Sequence, residues 1–215
     1  MKQTLSDDDR TRLDGLIADV EKRTNTQIVL AVIQRSDSYA ELPWKAFALG
    51  ASITGLLVFI LNLLSYGWYP RVAVHIAVAG ILGGGAVFAL LTVFIPGFAK
   101  RFLSSVRADV EVRQYAESVF LSRELFATGN RTGILVLVSL FERKVIILPD
   151  KGLRDQLTND VMQSIITAMT RSLMRNEIGR AFESGLEELS HTLETNVQGK
   201  GENELSDEII EEKGA

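Results

Sequence analysis

Between Ala46 and Ala99 the only charged side chain is Arg71. Two apolar segments fill this stretch, AFALGASITGLLVFILNLL from Ala46 to Leu64 and VAVHIAVAGILGGGAVFALLTVFI from Val72 to Ile95. About 20 helical residues cross about 30 Å of hydrocarbon, so each segment is long enough to form a transmembrane helix. The link SYGWYPR leaves room only for a tight turn. The two helices are therefore expected to lie antiparallel, as a hairpin over residues 45–99.

Charge placement gives the hairpin an expected orientation. Arg35 and Lys45 precede it and Lys100, Arg101, Arg107 and Arg113 follow it, against Arg71 alone in the link. The positive-inside rule then places both termini and the flanking chain in the cytoplasm, with the protein integral to an inner or plasma membrane. Tyr66, Trp68 and Tyr69 suit an aromatic belt at the opposite interface. The start, MKQTLSDDDRTRL, lacks the basic-then-apolar layout of a cleaved signal peptide, so the first apolar helix is expected to direct insertion. With a formal net charge of -4 and no cysteine, the chain is a poor nucleic-acid binder. It also has no thiolate nucleophile or Cys-ligated zinc.

The flanks carry the pattern of a small folded domain. Ser6 and Asp9 form a capping-box signature, and Leu13, Leu16, Ile17 and Val20 follow at helical spacing. QIVLAVI, from Gln27 to Ile33, is a short, continuously apolar run suited to a strand buried on both faces. After the hairpin, residues 102–126 read as a long amphipathic helix and Ile134–Ser139 as a second buried strand. Lys144–Pro149 should pair with that strand as a hairpin, and two helices follow. A strand, a crossing helix and another buried strand predict parallel pairing with a right-handed crossover. Residues 1–40 and 101–195 are thus expected to form one discontinuous α/β domain held close to the membrane. Residues 196–215, acidic and Gly-rich, read as a disordered tail.

The flanks also resemble a known family, the TPM domain. LSDDDRTRLDGLIADVEKRTNTQIVLAVI, TGILVLVSLFERKVIILPDKGLRDQLT and the helix pair that follows carry the resemblance. Within them, Leu5-Ser6, Gly133-Ile134-Leu135, Val145–Leu148, Gly152-Leu153 and Leu157-Thr158 stand where the family wording has its landmarks. The wording SLFERKVIILPDKG is similar to a bacterial branch with two membrane helices inserted in the domain. The resemblance implies a small α/β/α sandwich, TPM-like, interrupted by the transmembrane α-helical hairpin. It further implies a membrane-associated accessory protein, with proposals of acid phosphatase or divalent-ion chemistry in some relatives. This chain has Arg131 and Thr132 where many relatives have acidic or amide residues, and Asn159 where an Asp is expected, with Asp160 one place later.

Asp150, Asp155 and Asp160 are the candidate metal ligands, since they lie in the loop leaving the third expected strand and a hard cation needs several converging oxygens. Ca²⁺ or Mg²⁺ would be the ion; the alternative is a solvated turn and a helix-start acid. Asp37 joins them only if the first strand ends at the same sheet edge. No catalytic or cofactor-binding residues are assigned: Ser36, Ser38 and Ser139 lack a nucleophile elbow, and His75 and His191 are far from these acids in the pattern. In the second apolar helix, Gly80 and Gly84 allow either packing within the hairpin or homodimerisation. The expected function is a membrane-anchored accessory or interaction module for membrane protein complexes, with the bilayer and membrane proteins as partners. A metal-dependent phosphatase and a holin-like or channel-forming hairpin are the alternatives.

Overall fold

A computed structural model describes residues 5–64, 71–194 and 209–214. Helix α1 (Asp7–Thr24) begins where the sequence places it, with the Ser6 hydroxyl accepting from the Asp9 N–H at 3.1 Å and Asp9 accepting from the Ser6 N–H. Asp7, Asp8 and Asp9 sit in the first turn and Lys22 and Arg23 in the last, matching the helix dipole at both ends. Strand β1 (Gln27–Arg35) follows. Helices α2 (Glu41–Leu64) and α3 (Arg71–Phe94) come next, then the single turn α4 (Pro96–Ala99) and the long α5 (Ser105–Ser122). Strands β2 (Gly133–Ser139) and β3 (Lys144–Pro149), helices α6 (Asn159–Met174) and α7 (Ile178–Glu194), and strand β4 (Ile209–Gly214) complete the order.

The sheet order is β3-β2-β1-β4. Strand β1 runs parallel to β2 in the register Gln27 opposite Gly133 to Ile33 opposite Ser139, and β2 pairs antiparallel with β3. Because strand side chains alternate in direction, β1 and β2 feed two cores at once. Ile28, Leu30, Val32, Ile134, Val136 and Val138 pack with α1, α6 and α7 through Ile17, Ile165, Met169, Phe182, Leu186 and Leu189. Val29, Ala31, Ile33, Leu135 and Leu137 pack on the other side with Val112, Ala116 and Val119 of α5. The result is the α/β/α sandwich that the resemblance implies, with β1 and β2 buried on both faces as their continuous apolar runs predict. Close approach of α6 and α7 depends on Gly185, where an added Cβ would lie 2.9 Å from the Met169 sulfur.

The chain separates into two compact units, Met1–Asp37 with Asp109–Ala215, and Ser38–Ala108. In the second unit α2 and α3 are both long and apolar enough to cross a membrane, and only 6% and 11% of their most apolar windows are buried. A core helix of a soluble protein would hide most of that surface. The helices meet through small residues: a Cβ at Gly50 would lie 2.7 Å from the Gly84 carbonyl oxygen, and one at Gly84 would strike the Thr54 hydroxyl. Gly80 has open space where its Cβ would be. Of the pair singled out in the sequence, Gly84 is therefore occupied by the hairpin itself and Gly80 is not. The aromatic residues expected in the link fall outside the described residues.

One expectation fails. The acidic segment read as a disordered tail contributes a fourth strand, β4, parallel to β1. Ile210 is buried, Glu211 accepts from the Leu5 N–H at 3.1 Å and pairs with Arg10 at 3.0 Å, and Glu212 accepts from the Tyr115 hydroxyl at 2.5 Å. Those long-range partners let two adjacent carboxylates join a sheet edge, which composition disfavours. Burial and the Glu212 carboxylate together hold the Tyr115 phenol well above its ordinary range. Residues 196–208 of the same segment lie outside the described residues.

Candidate functional site

Asp150 follows β3 immediately, and its N–H donates to the Gly133 carbonyl at 2.8 Å. Its side chain is buried and both oxygens are engaged. Arg131 donates from Nε to Oδ2 at 2.6 Å and from Nη2 to Oδ1 at 3.0 Å, and the Lys151 N–H donates to Oδ1 at 2.7 Å. The Gly152 N–H closes the turn on the Arg131 carbonyl at 2.9 Å, and no side chain fits at Gly152 because a Cβ would come 2.4 Å from the Asn130 carbonyl oxygen. Arg131 itself holds φ 57 to present its fork. The guanidinium, more than any other cause, keeps the Asp150 carboxyl below the ordinary carboxylate range.

This arrangement does not suit a hard cation. A cation would compete with a guanidinium for both Asp150 oxygens, and Asp155 and Asp160 are exposed rather than turned toward them. Among the described residues no group of three or more His, Asp or Glu side chains is placed to hold a metal ion. Asp37 is at the far end of the sheet. It follows the carboxyl end of β1, which runs parallel to β2, whereas Asp150 lies beside the start of β2 because β3 is antiparallel.

At that far end the structure assembles a cluster that spacing in the sequence does not reveal. Glu142, in the β2–β3 turn, accepts from the Ser36 N–H at 2.9 Å, from the Ser36 hydroxyl at 2.7 Å and from the Ser139 hydroxyl. The carboxyl ends of parallel strands are the usual ligand-presenting end of an α/β sheet. Here the three side chains are buried and bound to one another, and no imidazole accompanies them. The cluster ties β1 to the β2–β3 turn.

A concave surface of about 1090 Å³ runs along β3. Phe120 and Leu121 of α5 form one wall and Met162 and Ile166 of α6 the other, with Val145–Pro149 as the floor. A second hollow of about 600 Å³ continues past Val145 and Ile166 toward Arg143 and Leu173. The lining is mixed: the apolar walls of α5, β3 and α6 are interrupted by Arg113, Glu117, Arg154, Asn159 and Gln163, and the second hollow is the more apolar of the two. Such a surface offers apolar walls together with charged and amide groups that could hold an extended segment of mixed composition.

Comparison with known proteins agrees with the fold. Residues 102–192 match the family model described as the TPM domain. The NMR structure of BA42 protein from the psychrophilic bacteria Bizionia argentinensis sp. nov. is similar with a TM-score of 0.58, covering 98% of this chain and 97% of that one at 14% identity. At that identity the likeness concerns the fold alone. No curated protein matches the sequence. The order of the strands and the two-sided helical packing agree with the match of residues 102–192 to the TPM domain model.

Proposed function

We propose that the chain is a membrane-anchored accessory protein whose TPM domain binds membrane proteins and supports assembly or maintenance of their complexes, without catalysing a reaction. The Asp150–Arg131 pair carries this reading. The acid best placed for divalent-ion or phosphatase chemistry is neutralised by a two-pronged guanidinium contact, and Asp155 and Asp160 do not converge on it. Helices α2 and α3 supply the anchor, being apolar enough to cross a bilayer. By the distribution of Lys and Arg, both termini and the domain face the cytoplasm.

The test uses the full chain in its native membranes, with a photo-crosslinking residue at Leu121 or Met162. The expected result is cross-linking to a small, reproducible set of integral membrane proteins. In parallel, purified full-length protein is assayed for release of phosphate from a generic phosphomonoester with and without Mg²⁺ or Ca²⁺. Metal-dependent turnover that Asp150→Asn abolishes would overturn the reading in favour of a hydrolase.

A further inference from the structure

Strand β3 ends the sheet, and among the described residues no strand lies along its outer side. The phase of its ladder follows from one contact. In an antiparallel pair, residues that exchange main-chain hydrogen bonds alternate with residues that do not. Asp150 bonds inward to Gly133, so Leu148, Ile146 and Lys144 bond inward as well. Val145 and Ile147 therefore turn both N–H and C=O outward, and Pro149 turns out a carbonyl only. The usual protection of an edge, a Lys or a Pro, occurs only at the two ends, Lys144 and Pro149, and the four residues between them are all aliphatic. Every residue of β2 is buried, whereas all of β3 but Ile147 is only half-buried.

Charge at the rim indicates what would cover this edge. Arg113, Arg143 and Arg154 stand exposed around the two hollows. Of the acids lining them, Glu117 is held by Arg113 at 3.1 Å on the same helix and Asp150 is closed off by Arg131; Lys144 pairs with Asp109 at 2.6 Å. The surplus positive charge at the rim therefore comes from Arg143 and Arg154. At its opposite edge the same sheet already holds a strand that combines β-branched and acidic residues: β4, IIEEKG, places Ile210 in the core, Glu211 on the Leu5 N–H and Arg10, and Glu212 on the Tyr115 hydroxyl.

We propose that the outer edge of β3 binds an extended segment of a partner protein in which β-branched and acidic side chains alternate, added as a fifth strand. This deepens the accessory-protein reading and rests on it. Main-chain hydrogen bonds to Val145 and Ile147 supply affinity, the apolar walls of the hollows take the apolar side chains, and Arg143 and Arg154 select acidic neighbours. With so few outward-facing groups, the contact is short and suited to a transient complex.

The test measures fluorescence anisotropy of a labelled octapeptide, DVEIDVEI, with the full chain in nanodiscs of zwitterionic lipid. Two control peptides carry lysine in place of the acids, or alternate N-methyl groups along one edge. Saturable binding is expected, with each control at least about tenfold weaker and with Arg143→Glu/Arg154→Glu weakening the acidic peptide by a similar factor. Amide shifts should centre on Val145 and Ile147. Equal affinity for the N-methylated peptide, displacement of β4 instead, or no binding at about 1 mM would each overturn the proposal. If the peptide fails while membrane proteins still cross-link at Leu121 or Met162, the edge-strand proposal falls and the accessory role stands.

Discussion

Replacing Asp150 with Asn isolates the charge at the β3 turn while keeping the side chain's size. The carboxylate accepts three close hydrogen bonds, two from one guanidinium and one from the Lys151 N–H. Bonds to a charged group are worth about 1.5–3 kcal/mol each at full burial. Two effects reduce the loss: the Arg131 side chain is 52% exposed and is solvated when released, and the Asn carbonyl retains one acceptor. The net cost is about 1–2 kcal/mol, equivalent to roughly 3–8 °C in Tm for a domain of this size. Urea unfolding of the full chain in mild detergent, followed by hydrogen exchange of β2 amides, measures it. The pH dependence sharpens the test. The folded-state pKa of Asp150 is lowered, so its stabilisation is fully present above the unfolded value of about 3.9 and is lost as pH falls through the folded value. The gap between wild type and variant should hold from about pH 7 to pH 5 and narrow as pH falls below the unfolded value of about 3.9. A gap that is absent at pH 7, or undiminished at low pH, refutes the assignment of the Asp150 charge as a structural lock.

Three further outcomes follow from other parts of the molecule. Gly84→Leu should destabilise the hairpin by about 1–3 kcal/mol through the clash with Thr54, while Gly80→Leu, with open space before it, should be near neutral; protease resistance of the hairpin in detergent separates them. Glu212→Gln should bring the Tyr115 phenol down toward its ordinary range without restoring it fully, because burial is the larger cause; ultraviolet titration against a Tyr115→Phe control reads this. Single cysteines at Ser65 and Ser122, in a chain with no native cysteine, should label from opposite sides of intact cells, and labelling of Ser122→Cys from outside would reverse the orientation.

Several parts of this architecture are legible without coordinates because their signals are local. A hydrocarbon-length apolar run, a capping box four residues long and strands buried on both faces each declare themselves within a short window. What the sequence hides depends on distant partners. Asp150 stands five residues from Asp155 and ten from Asp160, which suggests a cluster; its real partner, Arg131, comes from 19 residues upstream across the β2–β3 pairing. Strand β4 looks like a solvated acidic end until Leu5, Arg10 and Tyr115 are seen to meet its glutamates. The Ser36–Glu142 contact joins positions 106 apart. The unpaired state of β3 is equally invisible, since it is a property of sheet order rather than of the strand's own residues.

The parallel pairing of β1 with β2 also has a temporal side. β1 is made before the hairpin and its neighbour about a hundred residues later. At synthesis rates of about 5–20 residues per second, seven consecutive buried residues of β1 wait on the order of 5–20 seconds for a partner. During that interval α2 and α3 emerge and can enter the bilayer. The sheet can therefore close only after the hairpin has been made, and β4 is the last of its described strands to be synthesised. The nascent chain is most exposed to aggregation and to chaperones while the hairpin is being translated.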